Sequence, residues 1–163
     1  MTLTLTTTSV EQTRTLGTAL ASLLVPGVVV VAAGGLGAGK TAMAQGLASG
    51  LGVTDRVTSP TFTLLASHDA HNERGIRTML HADLYRAHSG EEVDDLAIGE
   101  MVESGAVCFV EWGDRAPDVF GSERVFVTIT QGQDQDERTI SIANHSTVIT
   151  DQDLHRVLGA WVR

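Results

Sequence analysis

The period of the apolar positions changes several times along the chain. Leu3 and Leu5 alternate with threonines, as a short edge strand would. Thr8 and Ser9 are candidate helix N-caps, with Glu11 and Gln12 three residues on as capping-box partners. Leu16, Ala19, Leu20, Leu23 and Leu24 follow at helical spacing and predict a helix from about Val10 to Leu24. The unbroken run Val28-Val29-Val30-Val31-Ala32-Ala33 after Pro26-Gly27 reads as a strand covered on both faces. Met43, Leu47 and Leu51 then mark a second helix, closed by Gly50 or Gly52. The second half of Arg56–Leu65 reads as a strand, 68–75 as a polar turn, and Ile76 to Tyr85 as another strand. Ser89 caps a predicted helix running to about Ser104, with Val93, Leu96, Ala97, Ile98, Met101 and Val102 inward. Ala106–Val110 is a second doubly buried strand, and 125–130 with 139–142 alternate as an antiparallel hairpin. A last helix, capped by Thr150 or Asp151, carries Leu154, Val157, Leu158 and Trp161 on one face.

Strands alternating with helices predict one α/β domain over residues 1–163, with a mostly parallel central sheet between helical layers and an antiparallel C-terminal hairpin. Ligands in such sheets bind beyond the carboxyl ends of the strands. Between the first buried strand and the second helix lies Gly34-Gly35-Leu36-Gly37-Ala38-Gly39-Lys40-Thr41. It fits G-x-x-x-x-G-K-[ST], the phosphate-binding loop of nucleoside-triphosphate enzymes, in the strand–loop–helix setting that motif requires. The fold expected is therefore the three-layer P-loop NTPase fold. Glycines let successive backbone N–H groups face one concavity, and the helix dipole adds to it. Lys40 brings a mobile charge for the β- and γ-phosphates, and the Thr41 hydroxyl is a hard ligand suited to Mg²⁺.

Holding nucleotide is not hydrolysing it; phosphoryl transfer also needs carboxylates for metal and water. Glu111, directly after an apolar strand, is the first candidate, against a plain solvated glutamate. Asp83 is the second; its partner is either Mg²⁺ or Arg86. Thr58–Thr61 reads equally as a γ-phosphate sensor or a proline turn. His81 reads as a core histidine with no zinc-type spacing, and Trp112 as packing or as a contact for a partner or a base.

Bulk composition narrows the setting. The chain has 163 residues, 42% of them hydrophobic, which suits a single core. No apolar run reaches the length of a membrane span, and Met1–Leu5 lacks a secretory pattern, so a cytoplasmic protein is expected. The single cysteine, Cys108, reads as a small core residue. A net charge of −9 with only 11 Lys+Arg predicts that any nucleic acid would be gripped by a partner.

Four motifs taken together carry a resemblance. They are the loop at 34–41, Ser59-Pro60-Thr61-Phe62-Thr63-Leu64, His81-x-Asp83-Leu84-Tyr85-Arg86 and Val110-Glu111-Trp112. In this order they resemble the TsaE (YjeE) family of small bacterial ATPases, over most of residues 10–142. The resemblance implies a part in forming threonylcarbamoyl-adenosine beside the tRNA anticodon, with ATP/ADP and Mg²⁺ as cofactors. It implies a TsaB–TsaD partner pair that the ATPase resets between turnovers, TsaC supplying the activated group, and tRNA met only through those partners. By the same resemblance Leu36, Gly37, Ala38, Gly39, Lys40 and Thr41 hold phosphates, and Val10 and Glu11 lie near the adenine. Thr41, Glu111 and Asp83 serve the metal, with Lys40, Glu111 and Asp83 catalytic and the Ser-Pro-Thr and His-x-Asp-x-Tyr-Arg stretches as switch segments. The chain departs from the family pattern at Gly35, where Asp is usual, and at Gly113-Asp114, where Pro usually follows the tryptophan. Two other classes compete: a small-molecule kinase, which calls for an arginine-bearing lid not visible here, and an interaction module ordered by nucleotide without hydrolysis.

Overall fold

The computed structural model describes residues 1–116 and 120–162. β1 (Thr2–Thr7) leads into α1 (Val10–Ala21), then β2 (Val29–Ala33) and α2 (Lys40–Gly50). β3 (Leu65–Asp69) and β4 (Thr78–Asp83) follow, then α3 (Gly90–Asp94), α4 (Ile98–Glu103) and β5 (Val107–Glu111). β6 (Arg124–Gln131), β7 (Arg138–His145) and α5 (Asp151–Leu158) complete the chain, with 3₁₀ turns at Gly113–Arg115 and Gly159–Trp161. All seven strands form one sheet in the order β1-β7-β6-β2-β5-β4-β3. Its centre, β6-β2-β5-β4, is parallel, and the pairs β1–β7, β7–β6 and β4–β3 are antiparallel.

The valine run of β2 supplies both faces. Val30 and Ala32 pack with α1, α2 and α5, while Val29 and Val31 pack with α3 and α4. Three layers result, as the alternation of strands and helices predicts. Ser9 caps α1, its hydroxyl accepting from the Gln12 N–H at 3.1 Å. The Gln12 side-chain oxygen Oε1 accepts in return from the Thr8 N–H at 2.8 Å, so the reciprocal contact is one residue further out than a strict capping box.

α1 and α2 touch backbone to backbone. The Thr18 hydroxyl donates to the Gly46 carbonyl at 2.8 Å. A Cβ at Gly46 would overlap the Arg14 carbonyl, and one at Gly17 would overlap the Met43 carbonyl. This contact fixes the helix that carries Lys40. No helix among the described residues is long and apolar enough to cross a membrane.

Three predicted elements differ. α1 stops at Ala21, and Leu23 and Leu24 continue in turns bonded to Leu20 and Ala21, which still bury Leu24. The strand expected before residue 65 begins there instead: 61–63 is a turn, Leu64 has φ of 64°, and β3 runs on into the first two residues of the predicted polar turn, His68 and Asp69. β3 is an edge strand whose Ser67 and Asp69 face solvent, so its polarity reads as loop. The helix predicted to Ser104 is broken in two at Ala97, which has φ of 54°. Gly99, two residues on, is the one helix-weakening residue beside that break, and Val93, Ile98 and Val102 reach the sheet from two short helices.

Glu123 ties the start of β6 to the loop after β7. Its carboxylate accepts from the Ser146 hydroxyl at 2.6 Å, the Thr147 N–H at 2.7 Å and the Thr147 hydroxyl at 2.7 Å. The hydroxyls of Ser146 and Thr147, foremost, pull its pKa from 4.5 down to about 2. Because the folded value is depressed, this stabilisation is present above 4.5 and is lost as pH falls toward 2. Urea unfolding of the native chain and Glu123→Gln is expected to show a gap at pH 6 that narrows as pH falls from 4.5 toward 2; a gap independent of pH would refute this.

Candidate phosphate and metal site

The loop between β2 and α2 is set by backbone conformation. Gly37 and Gly39 have φ of 74° and 113°, values that side chains rarely permit. Gly39 is the N-cap of α2 and offers no side chain to cap the helix, which leaves its first-turn N–H groups without a capping acceptor, as an anion site at a helix start requires. Arg138 on β7 braces the loop, Nε donating to the Ala38 carbonyl at 2.9 Å and a terminal nitrogen to Gly37 at 3.4 Å.

Lys40 lies at the centre of a cleft of about 430 Å³ bounded by the loop, Ser59, Asp83, Tyr85, Glu111 and Trp112. Its ammonium donates to the carbonyls of Gly34 (2.7 Å) and Gly35 (2.8 Å) and sits 4.3 Å above the Trp112 ring. Burial lowers its pKa, opposed by the charges of Glu111, Asp83 and Asp114. Trp112 itself has φ of 59°, a strained conformation for an aromatic, right where the strand tip meets the loop.

The carboxylates converge because their strands are neighbours in register. Asp83 pairs with Glu111 across β4 and β5, and Glu111 pairs with Ala32 of β2. The Thr41 hydroxyl donates to Glu111 Oε1 at 2.8 Å. Asp83 accepts from the Ser59 hydroxyl at 2.5 Å and from the Tyr85 N–H at 3.0 Å. The Asp83–Arg86 pair weighed from the sequence is not what the carboxylate makes; the Arg86 guanidinium lies over Phe62, 4.9 Å from the ring centre. Ser59 thereby connects the Ser-Pro-Thr loop to the site.

Thr41 and Glu111 offer a hydroxyl and a carboxylate oxygen, the hard donors Mg²⁺ takes, with Asp83 on the neighbouring strand. Among the described residues no group of three or more His, Cys, Asp or Glu is gathered to hold a metal alone. That suits a cation shared with phosphate oxygens and water better than a closed cage.

Leu36, Gly37, Ala38, Gly39, Lys40 and Thr41 all line the cleft, as do Asp83 and Glu111. Val10 does not; it lines a smaller hollow of about 50 Å³ on the other side of the loop with Ser9, Thr13 and Arg138. Glu11 lines neither and pairs with Arg14 at 3.8 Å. A Cβ at Gly35 meets nothing within 4 Å, so a carboxylate there would have room. Cys108 is fully buried, and burial raises its thiol pKa, as a core residue requires.

Sequence reasoning missed three contacts: Ser59 on Asp83, Arg138 on the loop, and His81 on Glu111 Oε2 at 2.6 Å. The last had a signal. His81 and Asp83 are two apart on one strand and so share a face.

The family model described as threonylcarbamoyl adenosine biosynthesis protein TsaE matches residues 7–140. A Treponema pallidum protein named tRNA threonylcarbamoyladenosine biosynthesis protein TsaE is 45% identical over 107 residues, 66% of this chain and 76% of that one. A Bacillus subtilis protein of the same name is 36% identical over 135 residues, 83% of this chain and 81% of its own. A crystal structure of YdiB from Bacillus subtilis superposes with a TM-score of 0.76 at 29% identity, covering 96% of this chain and 94% of the other. With the phosphate-type loop, both strand-end carboxylates and the sheet in place, the chain belongs to the TsaE family of threonylcarbamoyl adenosine biosynthesis proteins.

Proposed function

We propose that this protein is a Mg²⁺-dependent ATP hydrolase that binds a TsaB–TsaD pair and resets it between rounds of tRNA threonylcarbamoyl-adenosine formation. The observation that carries the reading is the 2.8 Å contact between the Thr41 hydroxyl and Glu111 at the mouth of a glycine loop. In this reading the loop amides and Lys40 take the β- and γ-phosphates, whose oxygens replace the Gly34 and Gly35 carbonyls around the ammonium. Thr41 and Glu111 hold the cation, which neutralises charge on the phosphates when bound. Asp83, steadied by Ser59, orients the metal shell or the attacking water. Val10, in the hollow behind the loop, and Glu11 beside it lie toward the adenine. The net charge of −9 leaves tRNA binding to the partners, and the work is cytoplasmic.

The test is ATP turnover and nucleotide affinity, with and without TsaB–TsaD, for the native chain and Lys40→Ala. Charge-assisted hydrogen bonds contribute about 1.5–3 kcal/mol each, so Lys40→Ala is expected to weaken nucleotide binding roughly 10- to 100-fold. Partner-stimulated turnover should vanish with it. Turnover unaffected by the substitution, or none from the native chain with both partners present, would overturn the reading.

A further inference from the structure

Glu111 is only 3% exposed, and a buried carboxylate is costly unless each oxygen finds a donor. One donor is Thr41, on Oε1. The other is His81, whose Nε2 lies 2.6 Å from Oε2. The imidazole has no exposed surface and meets the edge of Phe109, with centroids 6.0 Å apart and planes at 79°. Its Nδ1 is buried without a hydrogen-bond partner. One ring nitrogen is thus committed to the carboxylate, which can only accept, and the other is buried without a partner. The bond therefore calls for the tautomer with its proton on Nε2.

The placement follows from register. His81 pairs with Phe109 across β4 and β5, and Glu111 is two residues further along the same face of β5. The ring thus reaches Glu111 from behind, on the side away from the cleft; His81 does not line the cleft, whereas Glu111 and Thr41 do. It can act on bound nucleotide only through the carboxylate.

We propose that His81 is a positioning residue that pins Oε2 of Glu111, so that Oε1 stays turned toward Thr41 and the cation they would share. This rests on the ATPase reading above and adds to it the group that orients the metal carboxylate. Outer-shell partners of metal ligands typically change affinity or activity by about 10- to 100-fold when removed. Nucleotide itself is held by the loop amides and Lys40, which His81 does not touch.

Three measurements on the full chain test this. In the His81→Leu variant, turnover with TsaB–TsaD should fall about 10- to 100-fold, and the gain in ADP affinity that Mg²⁺ confers should shrink, while metal-free ADP affinity stays as in the native chain. In His81→Gln, whose amide nitrogen reaches roughly where Nε2 sits, both should largely recover. In nitrogen-15 spectra of the native chain, the His81 ring should show a single Nε2–H tautomer with an exchange-protected proton, and Glu111→Ala should abolish that protection. If native ADP binding shows no Mg²⁺ dependence, the ATPase reading fails. If it does, and His81→Leu keeps it, or His81→Gln is as impaired as His81→Leu, the positioning role alone is overturned. The ring spectrum reads the contact itself whether or not ATP is cleaved; the opposite tautomer, or protection surviving Glu111→Ala, would overturn the proposal.

Discussion

Glu111→Gln is expected to reduce partner-stimulated ATP turnover by at least about 100-fold while leaving nucleotide bound, the scale seen when a positioned group in a phosphoryl or acyl transfer site is removed. Glutamine is the informative choice. It keeps the side-chain volume and can still accept from either Thr41 or His81, so the core around 107–111 is little disturbed. What it removes is the negative charge facing Thr41, which a divalent cation requires. Binding should survive because, in the proposed function, the glycine loop and Lys40 would hold the phosphates independently of this carboxylate. The measurement is single-turnover hydrolysis alongside equilibrium binding. Turnover within a factor of three of the native chain would show that Glu111 has no catalytic part. Loss of binding equal to loss of rate would mean that it holds nucleotide instead.

A large structural effect is expected from Gly46→Ala. On an exposed helix the change would stabilise by up to about 1 kcal/mol, because alanine is the better helix former. Here the added methyl overlaps the Arg14 carbonyl, a backbone atom of α1 that has no rotamer to escape into. Overpacking against fixed atoms costs about 1–3 kcal/mol and sometimes more, so overlap outweighs propensity. A net loss of about 2–3 kcal/mol corresponds to a melting temperature lower by roughly 5–10 °C for a chain of this size. Gly35→Ala is the control, since a Cβ there meets nothing within 4 Å. Should Gly46→Ala melt at or above the native temperature, the close approach of α1 and α2 would be wrong. Since α2 begins at Lys40, the same variant should also loosen the phosphate site.

Much of this was legible along the chain. The valines of β2 and the residues 106–110 read as doubly buried strands because no polar residue interrupts them, and both are central in the sheet. The loop at 34–41 was recognisable because its glycines and lysine must stand at fixed spacing to bind phosphate. Less legible was the span 61–75, where an edge strand with one solvated face carries as many polar residues as a loop. The break at Ala97 was marked only by Gly99 two residues on, and a left-handed alanine is not a conformation that composition predicts.

The local chemistry was thus written in the sequence: a curled glycine backbone, a lysine and threonine at a helix start, and acids at the ends of apolar strands. Those features depend on residues close in the chain, where steric limits and hydrogen-bonding capacity act directly. Only the tertiary structure decided their relations: that β5 lies between β2 and β4, setting Glu111 opposite Ala32 on one side and Asp83 on the other, and that His81 stands behind Glu111 and Ser59 against Asp83. Strand order and loop docking join residues 24 to 79 positions apart, and no pattern of period two or 3.6 encodes which distant neighbour each strand will take.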